Sequence, residues 1–128
     1  MTTQTKEVGR RGEQAAAQYL TSRGYLIRGR NIRVGLKDEI DILALDPGDQ
    51  VLVFAEVKTR SHPDRDFRPE LNMDHRKIAA LRRAARTWIG EHEYEGGYRI
   101  DLLCVADRKV TNHFQQISWE EQIATELT

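Results

Sequence analysis

The chain has 128 residues, with 20 Lys and Arg balanced by 20 Asp and Glu, which suits one hydrophobic core and a single domain over 1–128. No apolar run approaches the roughly 20 residues a bilayer requires, the polar stretch Met1–Gln14 has no signal-peptide character, and Cys104 stands alone, excluding a disulfide framework and a Cys-based zinc site. The expectation is a reduced, cytoplasmic domain with no membrane partner.

The balance of charge is segmental. Residues 1–36 carry seven basic and two acidic groups, 37–57 one and six, 58–87 nine and four, and 88–128 three and eight. Two basic blocks thus flank an acidic one. That pattern suits a polyanion partner beside a carboxylate cluster, and equally a solvated surface of mixed sign.

In chain order, Val8, Gly12, Ala15, Ala16, Tyr19 and Leu20 recur at spacings of three and four, predicting a helix over about Lys6–Arg23. Gly24 follows at the position of a left-handed cap. Tyr25–Arg33 reads as an irregular strand weakened by Gly29. Glu39–Leu45 and Val51–Thr59 are stronger strands, rich in Ile and Val. Asp46-Pro47-Gly48-Asp49 between them is a turn signal, so the two strands form an antiparallel hairpin. Ser61–Asn72, with two prolines and dense charge, reads as a loop. A second helix is predicted over about Asp74–Ile89, ended by Gly90, with Ile78, Leu81, Ala85 and Trp88 on its buried face. Its other face carries Arg76, Lys77, Arg82, Arg83 and Arg86. Tyr98–Ala106 is a buried strand and Val110–Ile117 an edge strand. Ser118-Trp119-Glu120-Glu121 is a capping box opening a last helix to Leu127. The order αβββαββα, a hairpin followed by a crossover helix and another strand, predicts an α/β fold with a mixed sheet flanked by helices.

The hairpin carries the chemistry. Residues two apart on a strand share a face, so Glu56 and Lys58 project together while Val53, Ala55 and Val57 point the other way. Glu39 and Asp41 likewise share a face of the preceding strand. A turn centred between Gly48 and Asp49 sets Asp41 opposite Glu56 and Glu39 opposite Lys58, with Cβ atoms about 4.5–5.5 Å apart. Two carboxylates at that separation repel unless a proton or a cation lies between them. A slip of one residue would abolish the constellation. Magnesium takes one or two carboxylates together with waters and substrate phosphate, and a neighbouring lysine stabilises developing charge or handles a proton. Asp41 and Glu56, joined by the backbone carbonyl of Val57, are therefore the candidate ligands of Mg²⁺ or Mn²⁺, and Lys58 the candidate catalytic amine. The alternative is an ordinary exposed ion-pair hairpin contributing about 0–1 kcal/mol.

These residues carry a resemblance. Gly12-Glu13, Asn31-Ile32-Arg33, Glu39-Ile40-Asp41-Ile42-Leu43, Phe54-Ala55-Glu56-Val57-Lys58-Thr59-Arg60, Lys77 and Arg99-Ile100-Asp101 follow in an order that resembles the PD-(D/E)xK nuclease superfamily. The likeness is closer still to the bacterial YraN family, related in fold to archaeal Holliday-junction resolvases, and spans about residues 8–106. Two positions depart from the pattern: Asp38 stands where the family has glycine, and the loop 61–72 contains none. The resemblance implies a restriction-endonuclease-like fold and a metal-dependent endonuclease acting on DNA, including branched or repair intermediates. It makes Asp41, Glu56 and Lys58 the catalytic core, adds Glu13 from the first helix, and implies a homodimer.

Thr59 and Arg60, directly after Lys58, are candidate nucleic-acid contacts. Arg76, Lys77, Arg82 and Arg83 read either as phosphate contacts, which position without reading sequence, or as a solvated helix face. Glu39, Arg99 and Asp101 are candidate supports, the last two read equally as a buried pair behind the site or as direct binding groups. Two rivals stand beside the nuclease: a nucleic-acid-binding module of the same fold without hydrolysis, and an interaction protein whose acidic hairpin and basic helix recruit partners.

Overall fold

The computed structural model describes residues 3–60 and 75–117. Helix α1 (Thr3–Ser22) is followed by strands β1 (Leu26–Val34), β2 (Asp38–Asp46) and β3 (Val51–Arg60), helix α2 (His75–Glu91), and strands β4 (Tyr98–Ala106) and β5 (Lys109–Phe114). The strands form one sheet in the order β1-β2-β3-β4-β5. Only β3 and β4 run parallel, joined by the α2 crossover, and the other neighbours are antiparallel. The architecture is α/β with a mixed sheet, consistent with a restriction-endonuclease-like fold. The loop expected over Ser61–Asn72 and the helix expected from Ser118 to Leu127 lie outside the described residues.

Alternation along the strands divides the core. Leu43, Leu52, Phe54, Ile100, Leu102 and Cys104 pack under Ile78, Leu81, Ala84 and Ala85 of α2. Ile42, Ala44, Val53, Ala55, Leu103 and Val105 pack under Ala16 and Leu20 of α1. A sheet covered on both faces needs continuous apolar strands, which is why β4 is buried from Arg99 to Ala106. Cys104 is a small core residue there. Among the described residues no helix is long and apolar enough to cross a membrane.

Both helices end in Schellman motifs. In α1 the Tyr25 N–H donates to the Leu20 carbonyl at 3.0 Å and the Gly24 N–H to Thr21 at 3.0 Å, with Gly24 left-handed as expected (φ 90°). In α2 the expected stop at Gly90 is displaced. The helix continues to Glu91, and Glu93 (φ 50°) takes the left-handed position, with the Tyr94 N–H donating to Ile89 at 3.0 Å. Tyr94 packs against Trp88, the apolar contact that accompanies this motif. Strand β5 ends at Phe114 rather than Ile117, because Gln116 is left-handed (φ 58°) and its N–H turns to Asp101 at 3.1 Å.

The β2–β3 ladder pairs Asp46 with Val51 through to Ile42 with Ala55, the register expected from a turn centred between Gly48 and Asp49. A buried polar cluster pins that turn. Arg99 on β4 donates to Asp101 (2.9 Å), to Asp46 (2.8 Å) and Asp49 (3.0 Å) at the turn, and to the Tyr25 hydroxyl (2.7 Å). Asp101, fully buried, also accepts from His113 Nε2 at 2.8 Å. A carboxylate can only accept, so His113 donates from Nε2, while its Nδ1 lies 3.2 Å from the Tyr19 hydroxyl.

Candidate active site

The site forms where β2 and β3 leave their shared ladder. Glu56 and Lys58 continue the α2-facing set of Leu52 and Phe54, and Asp41 continues that of Leu43. Beyond Ile42 and Ala55 the Val57 N–H donates at 2.9 Å to Asp41 Oδ2, a side-chain bond where a ladder bond would otherwise continue. Alternation breaks here as well, since Ile40 joins the α2-side cluster instead of the α1 side. The result sets the carboxyl groups of Asp41 and Glu56 in hydrogen-bonding contact.

Two carboxyls so close, and mostly withdrawn from water, resist double ionisation. Burial, reinforced by the charge of Asp41, pushes Glu56 up to about 7. Burial also raises Asp41, against the Val57 hydrogen bond that favours its charged form. The pair therefore holds one proton near neutrality, carried by Glu56 and donated to Asp41. Lys77 of α2 and Lys58 oppose the rise at Glu56, so both ammonium groups lie within electrostatic reach of it. A cavity of about 250 Å³ opens over the pair, lined by Lys37, Asp38, Glu39, Asp41, Glu56 and Lys77 above Ala80 and Leu81.

Glu13 reaches the same region from the opposite helix. Burial raises its carboxyl, a hydrogen bond with Asn31 opposes that, and the charges of Asp41 and Glu39 raise it further. Asn31 is left-handed (φ 50°) in mid-strand, at the position the β1–β2 register sets opposite Asp41. Asparagine tolerates that conformation better than most residues. The structure thus brings together Glu13, Asn31, Glu39, Asp41, Glu56, Lys58 and Lys77.

The other candidates are placed elsewhere. Thr59 lies on the α1 face against Gly12, where a Cβ built on the glycine would stand 2.0 Å from its Oγ1. Arg60, exposed, lines a cavity beside α1. Arg83 is held by a bidentate pair with Asp38 at 2.7 and 2.8 Å, which fixes the rim of the site. Arg76 is exposed and Arg82 half-buried on α2. The expected buried pair Arg99–Asp101 is present, yet it serves the hairpin turn on the α1 face rather than the carboxylates. Two residues of the site have no role beside the carboxylates in the sequence reading: Asn31 enters it only through the resemblance, and Lys77 through the resemblance and as a candidate phosphate contact.

The donor set suits a hard divalent cation: two carboxylates in contact, with no imidazole or thiolate beside them among the described residues. Among the described residues no three His, Cys, Asp or Glu side chains group to hold a metal by themselves. Main-chain oxygen, water and substrate would complete the coordination, as magnesium prefers. In a strand the N–H and C=O of one residue point to the same side, so the Val57 carbonyl faces the side on which its N–H meets Asp41.

Residues 12–105 match the pattern of a family described as "Uncharacterised protein family UPF0102". Similar chains include a UPF0102 protein of Pelobacter propionicus, 37% identical over 102 residues that cover 78% of this chain and 71% of the relative. One from Streptomyces coelicolor is 45% identical over 105 residues, covering 77% and 75%. Another from an Arthrobacter species is 45% identical over 101 residues, covering 78% and 82%.

Proposed function

This chain belongs to the uncharacterised protein family UPF0102, and from the geometry of its carboxylate site we propose that it is a Mg²⁺- or Mn²⁺-dependent endonuclease that hydrolyses DNA. The observation that carries the reading is the buried contact between Asp41 and Glu56 at the point where the ladder opens. Such a pair destabilises the metal-free fold at neutral pH, and a bound cation relieves it. Asp41, Glu56 and the Val57 carbonyl would hold the ion, which supplies polarisation of a phosphoryl oxygen and activation of water.

The chain's own groups divide the remaining work. Lys58, on the face of Glu56 and two residues beyond it, presents an ammonium where negative charge develops on the phosphoryl group. Lys77, with Lys37, lines the cavity over the pair and adds positive charge there. Glu13, raised by burial and steadied by Asn31, is placed to accept a proton from the attacking water. Arg83 keeps Asp38 at the rim and out of competition with the pair.

The test is cleavage of labelled four-way junctions, flaps, single strands and plain duplex in magnesium, manganese or chelator. The expected result is cleavage that requires metal and falls by at least about 100-fold, the scale on which single electrostatic or acid–base groups act, in Asp41→Asn, Glu56→Gln and Lys58→Ala. Metal-dependent binding without product, or equal cleavage by all three folded variants, overturns it.

A further inference from the structure

A second charged concavity lies on the α1 side of the sheet, past the far end of β3. Its volume is about 350 Å³, and its walls include Arg11, Gly12, Thr59, Arg60, Asp107 and Arg108. A neighbouring cavity of about 320 Å³ shares Arg11 and Arg108 and continues along α1 past Gln14 and Gln18. Three arginines thus line one trough, with Asp107 beside them and two glutamines extending it.

The chain maintains this arrangement against local preferences. Asp107 (φ 50°) and Arg108 (φ 62°) are the two central residues of the β4–β5 hairpin, between the paired Ala106 and Lys109. Two left-handed residues in a two-residue loop make a type I′ turn, whose second position strongly favours glycine. An arginine there is strained, and strain that persists in a surface turn points to use of the side chain. Gly12 contributes from the other wall. Its missing Cβ lets α1 close onto Thr59, which brings Arg11 beside Arg60.

We propose that Arg11, Arg60 and Arg108 form a binding site for the sugar-phosphate backbone of a nucleic acid, separate from the metal-binding carboxylates. The choice of nucleic acid as ligand rests on the nuclease reading; the anion chemistry rests on the trough itself. Arginine is the side chain suited to phosphate, with planar paired donors and a charge that persists at any working pH. Arg60 lies four strand residues beyond Glu56, about 13 Å away, or roughly four base steps of a strand bound at the carboxylates.

The experiment is fluorescence anisotropy of a labelled 30-base-pair duplex and a labelled four-way junction in EDTA, from 0.05 to 0.3 M NaCl. The variants are Arg11→Gln, Arg60→Gln and Arg108→Gly, the last relieving backbone strain so that lost binding is not lost folding. Arg28→Gln, an exposed arginine on β1 beside the far end of α2, controls for charge alone. Each site variant is expected to weaken binding about eightfold at 0.1 M salt and to reduce the log–log salt slope by about one, with Arg28→Gln near wild type. Unchanged affinity and slope in all three, an equal loss in Arg28→Gln, or no binding by the wild type overturns the proposal. Displacement of the DNA by 5 mM inorganic phosphate at constant ionic strength would identify a free-anion site and also overturn it. Because chelator is present throughout, binding through these arginines without any cleavage elsewhere refutes the nuclease alone, and cleavage with indifferent arginines refutes this site alone.

Discussion

At the scale of the residue, one carboxyl group makes the fold sensitive to pH. Glu56 is raised from 4.5 to about 7 by burial and by the charge of Asp41. The folded chain therefore holds a proton that the unfolded chain has released between those values, and stability falls as pH rises through that window. The shift corresponds to on the order of 3 kcal/mol, lost by pH 8 in the absence of metal. Glu56→Gln keeps a donor toward Asp41 and cannot ionise. Its metal-free stability, from urea denaturation between pH 5 and 8, is expected to lie flat where the wild type declines, and to exceed it at pH 8. Parallel declines in both proteins would refute the assignment. The pairing of Asp41 with Glu56 was legible because strand alternation and a symmetric turn need only residue counting. The roles of Asn31 and Lys77 were not. A left-handed residue in mid-strand and a helix docked on a distant strand are outcomes of tertiary packing, which leaves no local period in the sequence.

At the scale of the element, docking contacts decide where the functional groups arrive. Helix α1 meets β3 through Gly12, whose hypothetical Cβ would stand 2.0 to 2.9 Å from three side-chain atoms of Thr59, its Cβ included. A rotamer change at Thr59 cannot clear that clash, so the helix must shift. Gly12→Ala is expected to destabilise by about 1–3 kcal/mol, against the nearly 1 kcal/mol that alanine gains in a free helix. A chemical denaturation midpoint at or above wild type would show that α1 does not sit as described. Arg99 plays the matching part for the β2–β3 hairpin, joining Asp46 and Asp49 of the turn to Asp101 of β4. Removing it as Arg99→Ala takes the guanidinium from a fully buried carboxylate, leaving it His113 and the Gln116 N–H, at about 3–5 kcal/mol. If Arg99→Ala unfolds at the wild-type urea concentration, the cluster does not hold the turn. The strands and helices themselves were legible from apolar periodicity. The stop of α2 was misplaced because glycine is only the commonest left-handed cap, and Glu93 takes that position three residues beyond Gly90. The function expected of Arg99–Asp101 was misplaced for a related reason: adjacency in a strand shows that two groups pair, and not which end of the sheet the pair serves.

At the scale of the molecule, net neutrality conceals a division of labour between the ends of the sheet. Negative side chains that satisfy Arg99 hold the hairpin turn closed, while Asp41 and Glu56 further along the hairpin resist ionising together. On the proposed reading the second group would gain from a divalent cation, and the gain would be linked to pH because Glu56 must first release its proton. At a magnesium concentration 100 times its dissociation constant at pH 8, stabilisation is expected to be about 2.7 kcal/mol. For a domain of this size that is roughly 10 °C in Tm. At pH 6, one unit below the value of Glu56, the same concentration amounts to about tenfold the apparent constant and about 1.4 kcal/mol. Thermal melts with and without magnesium at the two pH values, on the wild type, Asp41→Asn and Glu56→Gln, decide the matter without reference to any substrate. The shift should be larger at pH 8 and should vanish in both variants. A shift of equal size at both pH values, or one that survives the loss of either carboxylate, would place the ion somewhere other than between β2 and β3.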